Sequence, residues 1–173
     1  MSGLPGWLDR KFSTPMIERF LPTLTFLAAI SCGLAAGIFY AFSSLVMRAL
    51  ARIPPPAGIA AMQSINVSVV NFWFITAFFG PALICCVLAV IALLRLNQEG
   101  SAYLLAGSAF YLVGTMIVTF AFNVPLNDAL ATVNPASPEA ANRWAGYLVT
   151  WTNWNHVRTA GALLAAVAFY LGK

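Results

Sequence analysis

One short stretch of this chain gathers most of the side chains able to do chemistry: Trp151-Thr152-Asn153-Trp154-Asn155-His156-Val157-Arg158. At 100° per residue of an α-helix, Trp151, Asn155 and Arg158 share one face, with Thr152, His156 and Thr159 on its flank. His156 is the only histidine. An imidazole suits a general base, but an axial ligand to haem iron or a hydrogen-bonded structural residue fits the same position. A lone histidine excludes a multi-histidine metal site within one chain. Arg158 is either a buried cation in need of a partner or a long side chain snorkelling to headgroups. Asp128 is the acidic residue expected close to the site in sequence and topology, with Glu139 farther into the connection. Trp144, Tyr147, Trp151 and Trp154 would form an interfacial aromatic belt, or flat walls for a planar aromatic or quinone-like ligand.

Other polar residues are expected to meet this stretch. Tyr40, Ser43 and Ser44 extend a helical face that begins at Gly33, Ala36 and Gly37 and ends at Met47. Gly33 and Gly37 match the GxxxG pattern that lets a neighbouring helix come close. Gln63 and Asn66 share a face, flanked by Asn71, and a third group is Asn123-Val124-Pro125-Leu126-Asn127-Asp128.

The elements that must position these groups follow from composition. Of 173 residues, 61% are hydrophobic and only 8% charged, against about 25% charged in soluble proteins. With a mean hydropathy of +0.83, so few charges cannot coat a water-soluble globule of this size. An integral membrane protein follows, and a disordered chain, a collagen-like repeat or a disulfide-stapled module is excluded. The net charge of +4 rests on nine scattered Lys and Arg; without a cluster to track a phosphate backbone, nucleic acid is not an expected partner. Cys32, Cys85 and Cys86 lie in apolar runs with no metal-ligand spacing and read as packing residues.

Four runs reach the ~20 residues that a transmembrane helix needs: 24–47, 69–94, 102–122 and 152–171. They are continuous rather than alternating, which favours helices over a barrel. The expected fold is all-α, a single-domain membrane four-helix bundle, with a polar connection over 123–151. Residues 1–23 read as an interfacial segment carrying Trp7, Phe12, Arg10 and Lys11, and the first run is too long for a cleavable signal peptide. Ser137-Pro138-Glu139 reads as a helix N-cap with Pro at the first helical position, so a helix is expected to begin in the last connection and run into the fourth span. Four spans put both termini on one side. That side holds Arg10, Lys11, Arg19, Arg95 and Lys173 against Arg48, Arg52 and Arg143 on the other, which points to cytoplasmic termini in a plasma (inner) membrane. The four polar segments then meet at the opposite membrane face.

At GIFYAFSSLVM, AMQSIN, NVPLNDAL and WTNWNHVRT the sequence resembles the DUF1772 family of small four-span membrane proteins, which includes the fungal anthrone oxygenases. These motifs run from about Gly33 to Thr159. The resemblance implies oxidation of a planar phenolic, anthrone-like molecule by O2, without metal or flavin. It implies His156 as base with Asp128 in reserve, and Arg158, Asn155, Asn127 and Asn66 as donors to the resulting oxyanion. Tyr40, Trp151 and Trp154 would sandwich the ring system, with Ser43, Ser44, Gln63, Asn71 and Asn123 completing the pocket. The residues equally permit a protein that binds haem b through His156, or an accessory subunit or homo-oligomer that docks a partner through the polar connection.

Overall fold

Long apolar runs leave the backbone no partner but itself in lipid, so each run closes its own hydrogen bonds as a helix. The computed structural model describes residues 15–172 and is all-α over them. The interfacial residues Trp7, Arg10, Lys11 and Phe12, and Lys173, lie outside the described residues. Helix α1 (Pro15–Ala41) passes through a π-helical turn, Phe42–Val46, into the short α2 (Met47–Leu50). Helix α3 (Pro55–Ser68) lies between this rod and α4 (Phe72–Leu94). Helix α5 (Ser101–Tyr111) continues through two π-helical segments, Leu112–Ile117 and Thr119–Asn123, into α6 (Val124–Ala131). Helix α7 (Ala140–Leu171) closes the order.

Among the described residues, three helices are long and apolar enough to cross a membrane: Ile17–Leu50, Phe72–Leu94 and Ser101–Ala131. Helix α7, at 32 residues, has the length, but Asn153, Asn155, His156 and Arg158 dilute its apolar character. Several boundaries differ from the expected ones. Helix α1 starts at Pro15, ahead of residue 24, because nothing after Pro15 breaks the helix before Pro22, which it tolerates as a bend. Residues 124–131, expected as connection, are helical, since Pro125 falls in the first turn of α6 where its missing N–H is not needed, while 140–151 are helical as expected of a helix that begins in the last connection. The N-cap of α7 is Glu139, not Ser137, with Ala140 as the first helical residue.

Two apolar cores stack along the bundle. The larger joins Cys32, Ala35 and Phe39 of α1 to Phe78, Cys85 and Leu88 of α4, Tyr111, and Ala162, Ala165 and Phe169 of α7. The smaller joins Met47, Ile59, Met62, Leu130, Trp144, Tyr147 and Trp151. Pro81 removes one ladder bond from α4, and one turn earlier the Tyr111 hydroxyl donates to the Phe78 carbonyl at 2.8 Å, pinning the bend to the third rod.

The π-helical segments sit where the two cores meet, and hydroxyls occupy their displaced carbonyls. Ser44 donates to the Tyr40 carbonyl at 2.7 Å and Thr119 to the Thr115 carbonyl at 2.7 Å, while Thr115 reaches across to the Arg158 carbonyl at 3.2 Å. The buried face of α1 passes through Ala36 and Phe39 into the turn at Phe42–Val46. Ser43 and Met47 are buried, whereas Tyr40 is 62% exposed.

The expected close approach at Gly33 and Gly37 is not made: a Cβ at either would meet nothing within 4 Å. The tight crossing is Gly161 of α7 against Gly114, where a Cβ on Gly161 would come within 2.8 Å of the Gly114 carbonyl carbon and 2.9 Å of the Phe110 carbonyl oxygen. These are backbone atoms that cannot step aside. Gly161→Ala is therefore expected to destabilise the bundle by about 1–3 kcal/mol, the usual range for overpacking, and to lower the midpoint of a thermal melt in detergent. Gly33→Ala should leave that midpoint unchanged.

Candidate functional site

Between the two cores lies a cavity of about 270 Å³. Its walls are mostly aromatic: Phe39 and Phe42 from the first rod, Phe74, Phe78 and Phe79 from α4, Phe120 from the third rod, and Trp151 from α7. Its polar lining is sparse, consisting of Asn66, Thr119, Asn127 and Arg158.

Arg158 is 6% exposed, and among the described residues no carboxylate pairs with it. The ion pair that is present joins Arg95 to Glu18 at 3.3 Å, with Arg95 on the short α4–α5 connection at the opposite end of α4 from Asn71. The expected partner, Asp128, is exposed. Its helix turns it outward while Asn127, one residue earlier, faces the cavity. What holds the guanidinium instead is Asn155, whose side-chain oxygen accepts from Arg158 Nη2 at 2.6 Å. The Asn155 amide nitrogen donates to the Ser43 hydroxyl and to the Phe39 carbonyl, both at 2.6 Å, which locks its oxygen toward the arginine. The guanidinium carbon lies 4.6 Å from the centre of the Phe39 ring and 5.0 Å from that of Trp151. Arg158 Nε has no acceptor.

Such a charge is supported, not neutralised. A hydrogen bond to a charged group is worth about 1.5–3 kcal/mol and a desolvated cation–π contact about 2 kcal/mol. Both leave the positive charge in place beside the cavity.

The second polar centre is Asn127. Its side-chain oxygen accepts from the Tyr147 hydroxyl and from Trp151 Nε1, both at 2.8 Å. With the oxygen doubly used, the amide N–H groups are what Asn127 has left to offer a ligand. Burial pushes the Tyr147 phenol above its ordinary range, so Tyr147 stays protonated and keeps donating to Asn127. Helix α3 forms the wall that carries Asn66. Gln63 ties this helix down by donating to the Leu130 and Val133 carbonyls at 2.9 and 3.0 Å, capping the end of α6. Gly58 lets α3 approach closely, since a Cβ there would stand 2.9 Å from the Trp144 ring.

The structure therefore brings Arg158, Asn155, Ser43, Asn127, Trp151 and Asn66 into one assembly, and leaves others elsewhere. His156 is exposed on the outer face of α7, one residue round the helix from Asn155. Tyr40 is exposed, and Ser44 bonds only its own helix. Asn71 is the N-cap of α4, accepting from the Phe74 N–H at 3.0 Å. Trp154 stacks on Phe122 at 3.6 Å outside the cavity. Asn123 is buried and donates to the Trp151 carbonyl at 3.2 Å, a helix-to-helix tie without a place in the cavity wall. The phenylalanine walls and Thr119 were not anticipated, because in a chain this apolar a Phe facing a cavity and a Phe facing lipid carry the same sequence signal. Among the described residues, no three His, Cys, Asp or Glu side chains cluster in a way that could hold a metal ion.

The family model described as anthrone oxygenase matches residues 71–168, more than half of the chain. The chain belongs to the anthrone oxygenase family. The matched region contributes Phe78, Thr119, Asn127, Trp151 and Arg158 to the cavity, while Phe39, Ser43, Met62 and Asn66 come from the part that precedes it. No curated protein and no solved structure matches the chain.

In this member of the family, Asn155 is the residue on which the arginine's position turns. Asn155→Leu removes the side-chain acceptor that holds a buried cation and should cost about 2–3 kcal/mol of stability, read as a lower thermal midpoint. His156→Leu, on the exposed face, should leave that midpoint within error.

Proposed function

We propose that the cavity is the substrate site of a membrane-embedded oxygenase that oxidises a planar, phenolic, anthrone-like molecule with O2. The observation that carries this reading is Arg158: a buried, unneutralised cation facing a slot walled by aromatic rings. Such a site selects a flat apolar molecule that can become an anion. Helix α7 supplies the fourth membrane crossing in this reading, and the termini share the cytoplasmic side.

The overall change is CH2 + O2 → C=O + H2O at the reactive carbon. The substrate loses a proton to water at the polar end of the cavity and becomes an enolate or phenolate. Arg158 holds the oxyanion, and the Asn127 and Asn66 amides donate to it. The electron-rich anion gives one electron to O2, the radical pair combines at carbon, and the hydroperoxide takes up a proton and loses water to leave the ketone. Arg158 supplies the driving force for ionisation, because a fixed positive charge in a low-dielectric site lowers the pKa of the group it faces. No protein base is required in the cavity for a substrate this acidic. The stacked rings keep the radical pair together and bulk water out.

The test uses purified protein in detergent, an anthrone and oxygen uptake. Arg158→Gln should lower turnover by roughly 100-fold or more, the scale of losing an oxyanion donor. Asn155→Asp, which places a carboxylate against the arginine, should abolish binding of the anionic form while the fold persists. His156→Ala and Asp128→Asn should both retain activity. A bound dihydroxyanthraquinone should show its phenolate absorption at lower pH in the wild type than in Arg158→Gln. Full activity in Arg158→Gln, or loss confined to His156→Ala, would overturn this assignment.

A further inference from the structure

The cavity wall is incomplete on one side, and the residues there are entirely apolar. Val70, just ahead of α4, Ile75 and Phe79 of α4, and Phe120 of the third rod line the cavity and are also 74%, 42%, 45% and 52% exposed at the outer surface. A residue that belongs to both surfaces marks an opening. The Phe79 and Phe120 rings pack against each other there with centroids 6.3 Å apart, and Phe78, buried behind them, is also 6.3 Å from Phe120. The opening is therefore a slit closed by ring contact alone, between two helices that both meet the requirements of a membrane crossing. At about 1.5 Å per residue, Phe79 lies roughly 10 Å below the first residue of α4, which is inside the hydrocarbon for a helix that begins near the interface. The polar lining behaves oppositely: Arg158 and Thr119 are buried, and Asn66 and Asn127 are half-buried.

We infer that the ligand enters sideways from the acyl-chain region, through the slit between Phe79 and Phe120, as a neutral membrane-dissolved phenol that becomes an anion only on reaching Arg158. This rests on the proposed reading of the cavity as a substrate site and adds the route and the physical form of the substrate. The order of groups along the route supports it. A charged molecule would meet no compensating group at the rim and would lose its hydration there, whereas a neutral polycyclic phenol is stabilised by the rings on the way in. The charge that stabilises the anion lies at the far end, where ionisation traps the ligand. The class of substrate is thus a flat, weakly acidic phenol that partitions into lipid.

The experiment places Phe79→Cys and Phe120→Cys together in a Cys86→Ala background, since Cys86 is exposed while Cys32 and Cys85 are buried. The full chain is reconstituted in phosphatidylcholine vesicles and loaded with dihydroxyanthraquinone as a coloured probe. The pair is then bridged with a cleavable thiol cross-linker, and the vesicles are washed with excess empty vesicles. Bridged protein should release pigment roughly tenfold more slowly than unbridged protein, and cleavage of the linker should restore release. Protein bridged before loading should take up little pigment. Separately, Phe120→Ala without any cross-link should exchange pigment several-fold faster than the wild type. Equal release from bridged and unbridged protein, or unchanged exchange in Phe120→Ala, would overturn the lateral route while leaving the site intact. Failure of the wild-type protein to take up pigment at all would overturn the site reading and this inference with it.

Discussion

A guanidinium held out of water without a carboxylate beside it must be supported by something else, and much of this molecule is arranged to do so. Arg158 rests on one amide oxygen and two aromatic faces. The amide is oriented from the first rod, by the Ser43 hydroxyl and the Phe39 carbonyl. The rings come from the first rod and from α7 itself. Burial of an ion in a low-dielectric interior costs several kcal/mol when it is unpaired, so this support holds only while the first rod and α7 stay in register. The small residues between them serve that end: Ala28, Cys32, Ala35, Ala162 and Ala165 let the two helices lie close along their length. Gly161 against Gly114 fixes the third rod at the same level.

The π-helical segments are the local device by which the rods reach this geometry. An α-helix repeats its faces every three and four residues, and a π turn inserts a residue that shifts the phase beyond it. In the first rod the π turn carries Ser43, which meets Asn155, and leads on to the buried Met47. In the third rod two such segments bracket Val118 and bring Thr119 to the cavity and Asn123 to the α7 backbone. The hydroxyls of Ser44, Thr115 and Thr119 take up backbone carbonyls around these turns, which makes the distortions tolerable in an apolar surrounding. The site is a consequence of interrupted helices, and its polarity is confined to the few groups that the interruptions aim inward.

This arrangement fits a site that works by charge and shape. Membership of the anthrone oxygenase family places the chain among proteins whose description is oxidative. In the proposed reading the protein supplies a preorganised positive charge, amide donors and flat walls, while the substrate's own electron density does the reducing. The cavity's aromatic walls and its single cation answer to the two properties of such a substrate, a fused ring system and an acidic oxygen.

Sequence alone determined a great deal here, because the membrane imposes simple rules. Charge content and run length fix helices as the fold class, and the three-and-four spacing of Trp151, Asn155 and Arg158 places them on one buried face, since a polar stripe in an apolar helix has nowhere else to go. The tertiary structure decided what spacing cannot express. His156 sits one residue from the buried Asn155 and Asp128 one residue from the cavity-lining Asn127, so about 100° of helical rotation sent them outward, although by residue type they were the more reactive pair. Tyr40 left the site because the buried face of its helix runs through Ala36 and Phe39, one residue away. Gly33 and Gly37 carried the packing motif, but close contact needs a partner backbone with an equally bare surface, and that pairing formed at Gly161 and Gly114 instead. The cavity itself was invisible in the chain, because an aromatic ring facing a void and one facing lipid are the same residue in the same apolar run, and only the packing of the rods separates them.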